Sequence, residues 1–306
     1  MINSGRNVVL MLVGVVMLAG LGCGDEQAQT QSSTPSQSGQ PGPTPKPAPA
    51  ATSSQLSWAE VLEQNPDPKV VTDADFFKRI METKLPWRVT HKSTGIEMLL
   101  VPPGTFMMGA SPGDTQAGDG EKPAHEVTIT NAFYLGRTEV TQAQWFKVMD
   151  TNPSKFRGES LPVDSVSWND ISVFLKKASG GLQLPTEAEW EYACRAGTKG
   201  ATYGDLDLIA WNNASSGGTT HAVGKLQPNA LGFCDMLGNV WEWCQDGYSQ
   251  SASTTQAALE TEIGARVLRG GGWSDYARSC RASRRPTNAP GFQNFDIGCR
   301  FARTAD

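Results

Sequence analysis

Apolar residues recur at helical spacing in four short segments of the chain. In the first segment, Phe76 and Ile80 fall on one face of a predicted helix around 73–83, which Asp73 or Thr72 is placed to cap. The same spacing predicts three further helices, over Glu139–Met149, Trp168–Ala178 and Thr186–Arg195.

Between these helices the pattern changes to short apolar runs broken by Gly, Pro and Asn. The run MLLVPPGTFMMG at 98–109 predicts two strands around a Pro-Pro-Gly turn. Thr186 and Glu189 have the spacing of a capping box at the start of the fourth helix. Helices embedded among short strands indicate an α+β domain that is rich in irregular loops.

The first 22 residues have a different pattern. One basic residue, Arg6, precedes an apolar run from Val8 to Leu21, which is short for a membrane span and typical of a signal peptide over 1–22. Cys23 follows, where a bacterial lipoprotein carries its lipidated cysteine, although Gly20 stands where such proteins usually have leucine. The alternative is an ordinary secretory signal. We therefore expect an exported protein that is membrane-anchored through Cys23, or else periplasmic or extracellular.

The next segment contains mostly Gln, Ser, Thr, Pro and Ala. Such a composition cannot bury enough apolar surface to fold, so 23–55 is predicted to be a disordered, lipoprotein-type linker. The helix around 73–83 makes 56–94 a predicted N-terminal helical brace, and 95–306 is the predicted main domain.

Charge and histidine content exclude two classes of function. The net charge is −5 at pH 7, so no basic surface is indicated and nucleic acid is not an expected partner. The three histidines, His91, His125 and His221, are far apart in sequence and form no HxxxH or HExxH spacing. A zinc or iron site built from histidines is therefore not predicted.

One turn has the composition of a cation site. The two tryptophans of this turn are preceded or flanked by Asp235, Gly238, Asn239 and Glu242. Glycine permits a tight turn of the backbone, which brings together oxygen ligands that suit a hard cation. The alternative for this turn is a hairpin corner with buried aromatic residues.

Taken together, six ordered motifs resemble the formylglycine-generating enzyme family, also called sulfatase-modifying factors. The resemblance runs over roughly 95–303 and implies a C-type-lectin-like fold. The motifs are EMLLVPPGTFMMG at Glu97–Gly109, KPAHEVTITNAFYLGRTEVTQAQW at Lys122–Trp145, PVDSVSWND at Pro162–Asp170, LPTEAEWEYACRAGT at Leu184–Thr198, PNALGFCDMLGNVWEWCQD at Pro228–Asp246, and VLRGGGW at Val267–Trp273 followed by CRASRR and IGCRFAR.

The resemblance implies a calcium ion in the turn before the WEW motif. The family's ligands match Asp235, Gly238, Val240 and Glu242, two carboxylates and two backbone carbonyls at offsets that suit a hard cation. Calcium is therefore an expected cofactor.

The resemblance also implies a copper(I) centre of two cysteine thiolates that oxidises a substrate cysteine to formylglycine. Here the second cysteine is Cys280, but Asp275 stands in place of the first, and Gly272 replaces the serine of the glycine-rich turn. Copper(I) is soft and favours paired thiolates, so copper is not an expected cofactor. Cys280 is the only retained match to the copper pair.

Two main functions remain open. The first is a binding or scaffold module without oxidase activity, whose partner is an unknown protein or ligand of the cell envelope, with a sulfatase as one candidate. The alternative is a formylglycine-generating oxidase acting on exported sulfatases. A sulfoxide-synthase chemistry would need a histidine-bearing partner domain that this chain does not contain.

The remaining cysteines suggest a disulfide hypothesis. Five cysteines follow Cys23, and an exported protein tends to oxidise pairs of them. Cys234 and Cys299 both stand where the family has large aromatic residues, which suggests that these two face each other and form a disulfide.

Overall fold

The computed structural model describes residues 56–247 and 264–305, which belong to one compact unit, Ser53–Asp306. The predicted signal peptide, Cys23 and the predicted linker over 23–55 lie outside the described residues. Within the described ranges, no helix is both long and apolar enough to cross a membrane.

In the described ranges, five helices lie among eleven short strands, which is the α+β arrangement predicted from the pattern. The helices are α1 Ala74–Thr83, α2 Gln142–Met149, α3 Trp168–Lys177, α4 Glu187–Arg195 and α5 Leu206–Ile209. The strands are β1 Ala59–Glu63, β2 Arg88–His91, β3 Glu97–Val101, β4 Gly104–Met108, β5 His125–Ile129, β6 Phe133–Gly136, β7 Trp241–Gly247, β8 Arg266–Arg269, β9 Thr287–Asn288, β10 Ile297–Gly298 and β11 Ala302–Thr304.

The strands form three sheets. The largest has the order β1-β2-β3-β6-β11 and is antiparallel throughout, a second has the order β10-β7-β8-β9, and β4 pairs with β5 alone. In the second sheet β10 runs parallel to β7, and the antiparallel strand β8 pairs Glu242 with Arg269. The Pro-Pro-Gly turn therefore separates two strands, as predicted, but these strands belong to different sheets.

Capping residues explain where the helices begin. The Asp73 carboxylate accepts from the backbone N–H groups of Asp75 and Phe76, and the predicted Thr186–Glu189 capping box is present at α4. The second helix begins three residues later than predicted, after its extended cap Thr141, because the backbone of Val140 is hydrogen-bonded outside the helix. Its N–H donates to the carbonyl of Cys299 and its carbonyl accepts from Val163.

The segment 56–94 is less helical than predicted. It contains α1, but β1 and β2 join the same sheet as β3, β6 and β11. The Trp87 N–H also donates to the carbonyl of Gln64, and its carbonyl accepts from Leu100. This segment is therefore an integral layer of the main domain.

Aromatic side chains fill the core between the helices and the second sheet. Trp145 stacks on Phe174 with ring centroids 5.0 Å apart, and Phe174 meets Phe301 at 4.9 Å. Trp190 and Trp243 are completely buried. Offset aromatic pairs of this kind contribute packing energy beyond their buried area.

A buried ion pair fixes the short 3-10 turn before β5 against the C-terminal half. The Glu121 carboxylate accepts from the Arg281 guanidinium at 2.7 and 2.9 Å and from the Ser283 hydroxyl at 2.7 Å. Burial raises the pKa of Glu121, but these hydrogen bonds and one from the Gly118 N–H outweigh it and lower the pKa to about 2.

We expect Glu121→Gln to lower the free energy of unfolding by about 3 kcal/mol at pH 7, because the buried Arg281 then keeps only Asp114 as a charged partner, at 2.7 Å. Because folding lowers the pKa of Glu121, its carboxylate stabilises the folded state fully at pH values above its unfolded pKa of 4.5. This contribution is lost as the pH falls toward the folded pKa of about 2. Urea unfolding at pH 7 and pH 3 measures this, and the deficit should shrink at pH 3. The exposed control Glu60→Gln should change stability by less than about 0.5 kcal/mol. An equal deficit at both pH values would contradict the assignment.

Candidate functional site

The turn at 235–242 is organised by one buried arginine. Arg300 donates to both carboxylate oxygens of Glu242, at 2.7 to 3.1 Å, and Trp190 Nε1 donates to the same carboxylate at 2.6 Å. The guanidinium also donates to the carbonyls of Gly136, Cys234 and Asp235. The end of the chain is thereby tied to the turn and to β6.

Asp235 lies beside this arginine in a left-handed backbone conformation with a φ of 55°. Its Oδ2 accepts from the Gly224 N–H at 2.6 Å, whereas its buried Oδ1 has no hydrogen-bond partner. Burial raises the pKa of Asp235. At Gly238, with a φ of 83°, an added Cβ would overlap the backbone of Trp211, so glycine is required there.

Glu139 is a third carboxylate of the cluster, and the sequence analysis did not identify it. It accepts from the Val240 N–H at 3.0 Å and the Asn239 side-chain amide at 2.7 Å. Burial, followed by the charges of Asp235 and Glu242, raises its pKa well above the usual range. Its position directly before Val140 gave no sequence signal, because its contacts span 100 residues or more.

The two carboxylates of the implied calcium site, Asp235 and Glu242, both lie close to Arg300. Asp235 Oδ1 has no hydrogen-bond partner, whereas both oxygens of Glu242 accept from Arg300 or Trp190. Among the described residues, no group of three or more His, Cys, Asp and Glu side chains is arranged to hold a metal ion. The other two residues of the implied set, Gly238 and Val240, would contribute only backbone carbonyls. Calcium there stays a prediction from the resemblance alone, which calorimetric titration of chelator-treated protein would test.

A second cluster surrounds the position of the family's copper pair. The turn after β8 places Asp275 so that its Oδ2 accepts from Trp241 Nε1 at 2.7 Å and from the Gly272 N–H at 3.1 Å. The Asp275 N–H in turn donates to the Gly272 carbonyl at 3.0 Å. The Asp275 carboxylate therefore helps to hold this turn together through hydrogen bonds.

Cys280 packs beneath the same turn and is completely buried. A Cβ added at Gly271 would lie 2.9 Å from its Sγ, so the sulfur lies directly against the glycine-rich backbone. Burial, followed by the charge of Asp275, raises the pKa of Cys280 to about 12. At neutral pH the Cys280 thiol is therefore protonated.

All five cysteines of the described residues are free and buried, so the disulfide hypothesised between Cys234 and Cys299 is not formed. The surroundings of the two sulfurs explain why. Arg300 lies near both sulfurs, but Glu242 and Glu139 lie near Cys299, whereas Asp235 and Arg137 lie near Cys234.

An aromatic surface adjoins the Asp275 turn. The ring of Trp273 meets Phe156 edge to face at 5.4 Å and Phe295 at 5.7 Å, and the Lys155 ammonium lies 4.0 Å from the centroid of Phe295. The hydroxyl of Ser274, next to Asp275, donates to Asp296 Oδ2 at 2.9 Å.

Comparison with known proteins places these two clusters in a family. Residues 85–305 match the model of the sulfatase-modifying factor enzyme 1-like domain. The formylglycine-generating enzyme of Streptomyces coelicolor is 28% identical over 67% of this chain and 88% of its own length. The mouse protein named inactive C-alpha-formylglycine-generating enzyme 2 is 28% identical over 68% of this chain and 86% of its own length.

A solved structure supports the same assignment. PvdO from Pseudomonas aeruginosa superposes with a TM-score of 0.63 at 27% identity, covering 69% of this chain and 95% of that one. The extent of the match and the shared α+β architecture agree with the order of the sequence motifs. The chain belongs to the formylglycine-generating enzyme, or sulfatase-modifying factor, family.

Proposed function

We propose that this protein is a binding module on the formylglycine-generating enzyme fold and does not oxidise cysteine to formylglycine. The observation that carries the proposal is the pair formed by Asp275 and Cys280. Where the family implies two thiolates, this chain has a carboxylate bound by Trp241 and Gly272 and one buried thiol.

The chemistry of copper(I) supports this proposal. Copper(I) prefers soft thiolate ligands, while a carboxylate suits hard cations. Cys280, with a pKa of about 12, would have to lose its proton beside a negative charge before it could bind a metal. The mouse relative carries the word inactive in its name, which is consistent with the proposal that members of this family can lose the reaction.

We also propose that the domain acts in the cell envelope, tethered by lipid at Cys23. The apolar run before Cys23 and the polar, proline-containing tract after it support this location. Metabolic labelling with palmitate should mark the wild-type protein and not Cys23→Ser. A wild-type protein that is exported, unlabelled and cleaved elsewhere would contradict the tether.

The experiment for the main proposal is an oxidase assay. A peptide carrying the sulfatase cysteine motif is incubated aerobically with copper-loaded protein and a reductant, and mass spectrometry measures the aldehyde product. We expect product at the level of the protein-free control. The Streptomyces coelicolor enzyme serves as the positive control. Turnover above background that Cys280→Ala abolishes would restore the oxidase.

A further inference from the structure

A cavity of about 720 Å³ opens between α1, the end of α4 and the strand β4. None of the described residues that line it belongs to the turn after β8, so it is separate from the Asp275–Cys280 pair. Its walls are largely apolar and include Phe76, Phe106 and Met107. A cavity of this volume, with apolar walls and a few polar groups, is typical of a binding site.

The strand β4 borders this cavity with an unpaired edge. It pairs with β5 alone, in a two-stranded sheet. The consecutive residues Thr105, Phe106 and Met107 all line the cavity, although successive side chains of a strand point to opposite faces of its sheet. The cavity therefore lies along the edge of β4 and not over one face of the sheet.

Backbone groups along this edge have no partner. In an antiparallel pair, alternate residues of each strand direct their N–H and C=O groups toward the other strand, and the residues between them direct these groups outward. At least one of Thr105, Phe106 and Met107 therefore directs both groups away from β5. Apart from the β4–β5 ladder, no backbone hydrogen bond joins these three residues to any other described part of the chain. An extended peptide can complete such an edge by adding a strand.

Two donors that line the cavity lack acceptors. Arg79 Nη1 donates to the Tyr192 hydroxyl at 2.7 Å and to the Pro103 carbonyl at 2.9 Å, whereas its Nη2 donates to no described residue. Tyr192 is only 2% exposed, and no described group accepts the proton of its hydroxyl. Burial raises the pKa of Tyr192, so this hydroxyl keeps its proton at neutral pH. An acceptor with a negative charge would satisfy both donors.

These donors lie beside the beginning of β4. A Cβ added at Gly104, the first residue of the strand, would overlap both the Arg79 guanidinium and the Tyr192 hydroxyl. Lys199, which is exposed, lines the same cavity and adds a second positive charge. The donors therefore mark one end of the free edge.

The acids that line the cavity do not close this end to an anion. Glu126 is paired in register with Met107, near the far end of β4. Asp73 Oδ1 accepts from two N–H groups at the start of α1. Asp75 lies 3.0 Å from Arg79 Nε, but its side chain is 76% exposed, so water screens its charge.

We infer that this cavity binds the C-terminal segment of a partner polypeptide, which pairs with the free edge of β4 as an antiparallel strand. Its terminal carboxylate accepts from Arg79 Nη2 and the Tyr192 hydroxyl, and its last apolar side chain packs against Phe106. A strand antiparallel to β4 ends beside the beginning of β4, which is where the two donors lie. The inference goes beyond the proposed function, because it concerns a different part of the fold.

Fluorescence anisotropy with the purified full-length protein tests the inference. The probe is the octapeptide Gly-Ser-Gly-Ser-Thr-Val-Thr-Val, labelled at its N-terminus and ending in a free carboxylate. Its matched control ends in a carboxamide, which removes the charge and leaves the rest of the peptide unchanged. We expect the acid to bind at least about tenfold more tightly than the amide.

Methylation of the peptide backbone tests the strand pairing. Alternate N–H groups of an added strand point toward β4, and the N–H groups between them point away. N-methylation of one alternating pair of peptide residues should therefore weaken binding about tenfold, and methylation of the other pair less than about threefold. Equal losses for the two methylated peptides would contradict strand pairing.

Two variants test the carboxylate end of the cavity. Arg79→Gln should weaken binding of the acid about tenfold, so that acid and amide bind alike. Tyr192→Phe, which keeps the ring, should weaken binding of the acid about threefold. The matched control Arg137→Gln removes a 38% exposed arginine that pairs with Glu97 outside the cavity, and it should leave both affinities unchanged. Melting curves confirm that each variant is folded, and the acid–amide comparison in the wild type depends on no variant.

Equal affinity for acid and amide in the wild type would overturn the inference, as would the absence of saturable binding of the acid. An acid–amide difference that persists in folded Arg79→Gln would also overturn it. Binding of dodecanoate that Tyr192→Phe weakens, without binding of the peptide, would assign the cavity to a small amphipathic ligand instead. The oxidase assay is independent of these results: loss of peptide binding would contradict only this inference, whereas aldehyde formation would contradict only the proposed function.

Discussion

Arg300→Met should lower the free energy of unfolding by about 3 to 5 kcal/mol at pH 7. The guanidinium is completely buried and is the partner of Glu242, while Asp235 and Glu139 lie within its electrostatic reach. Methionine fills a similar volume but leaves three carboxylates without their cation and three backbone carbonyls without their donor. Chemical denaturation measures the difference.

The pH dependence distinguishes this charge effect from a packing defect. The pKa values of Asp235 and Glu139 are already raised in the wild type, and loss of the Arg300 charge, which lowers both, raises them further. Such groups destabilise the fold when ionised, and the penalty is relieved as pH falls and they bind protons. The deficit of Arg300→Met should therefore be smaller at pH 5 than at pH 7, and Glu242→Gln in the same chain should restore part of the loss. The control Arg137→Met, which removes a 38% exposed side chain 3.5 Å from Glu97, should cost less than about 1 kcal/mol. A deficit independent of pH would mean that packing dominates.

Asp275→Cys should create a copper(I) site that we expect the wild-type protein to lack. The change supplies a second thiol at the family's position and removes the carboxylate charge that helps to raise the pKa of Cys280. Both effects favour a thiolate pair. We expect one equivalent of copper(I) per protein, measured by competition with a chromophoric chelator, and its loss in Asp275→Cys with Cys280→Ser. Gly272→Ser is best left out, because an added Cβ would lie 3.2 Å from Asp296 Cβ and 3.3 Å from Trp241 Cδ1.

Local signals in the sequence were sufficient for most of the helices. Asp73 and Thr186 cap helices where their spacing predicted it, because a cap depends on residues within four positions. The start of α2 was predicted three residues early, since the backbone of Val140 is hydrogen-bonded to Cys299 and Val163, which are distant in sequence. The strands β1 and β2 gave no clear pattern, and only their pairing defines them.

The residues of the candidate site also divide into those with a local sequence signal and those without one. The sequence placed Asp235 and Glu242 in one turn and identified Asp275 as the departure from the copper pair, because each lies in a contiguous motif. It did not identify Arg300 as the partner of Glu242, 58 residues away, nor Glu139 as the third carboxylate. The hypothesis of a Cys234–Cys299 disulfide failed for a related reason. Substitution at two positions does not show which way their side chains point.

The most direct test of the account is a copper(I) titration of the wild-type protein under anaerobic, reducing conditions. The central claim is that Asp275 and the buried Cys280 do not form a copper site. Copper(I) should therefore remain with the competing chelator, with no difference between the wild type and Cys280→Ser. Retention of one equivalent by the wild type, lost in Cys280→Ser, would contradict the claim and return this chain to the oxidases of its family.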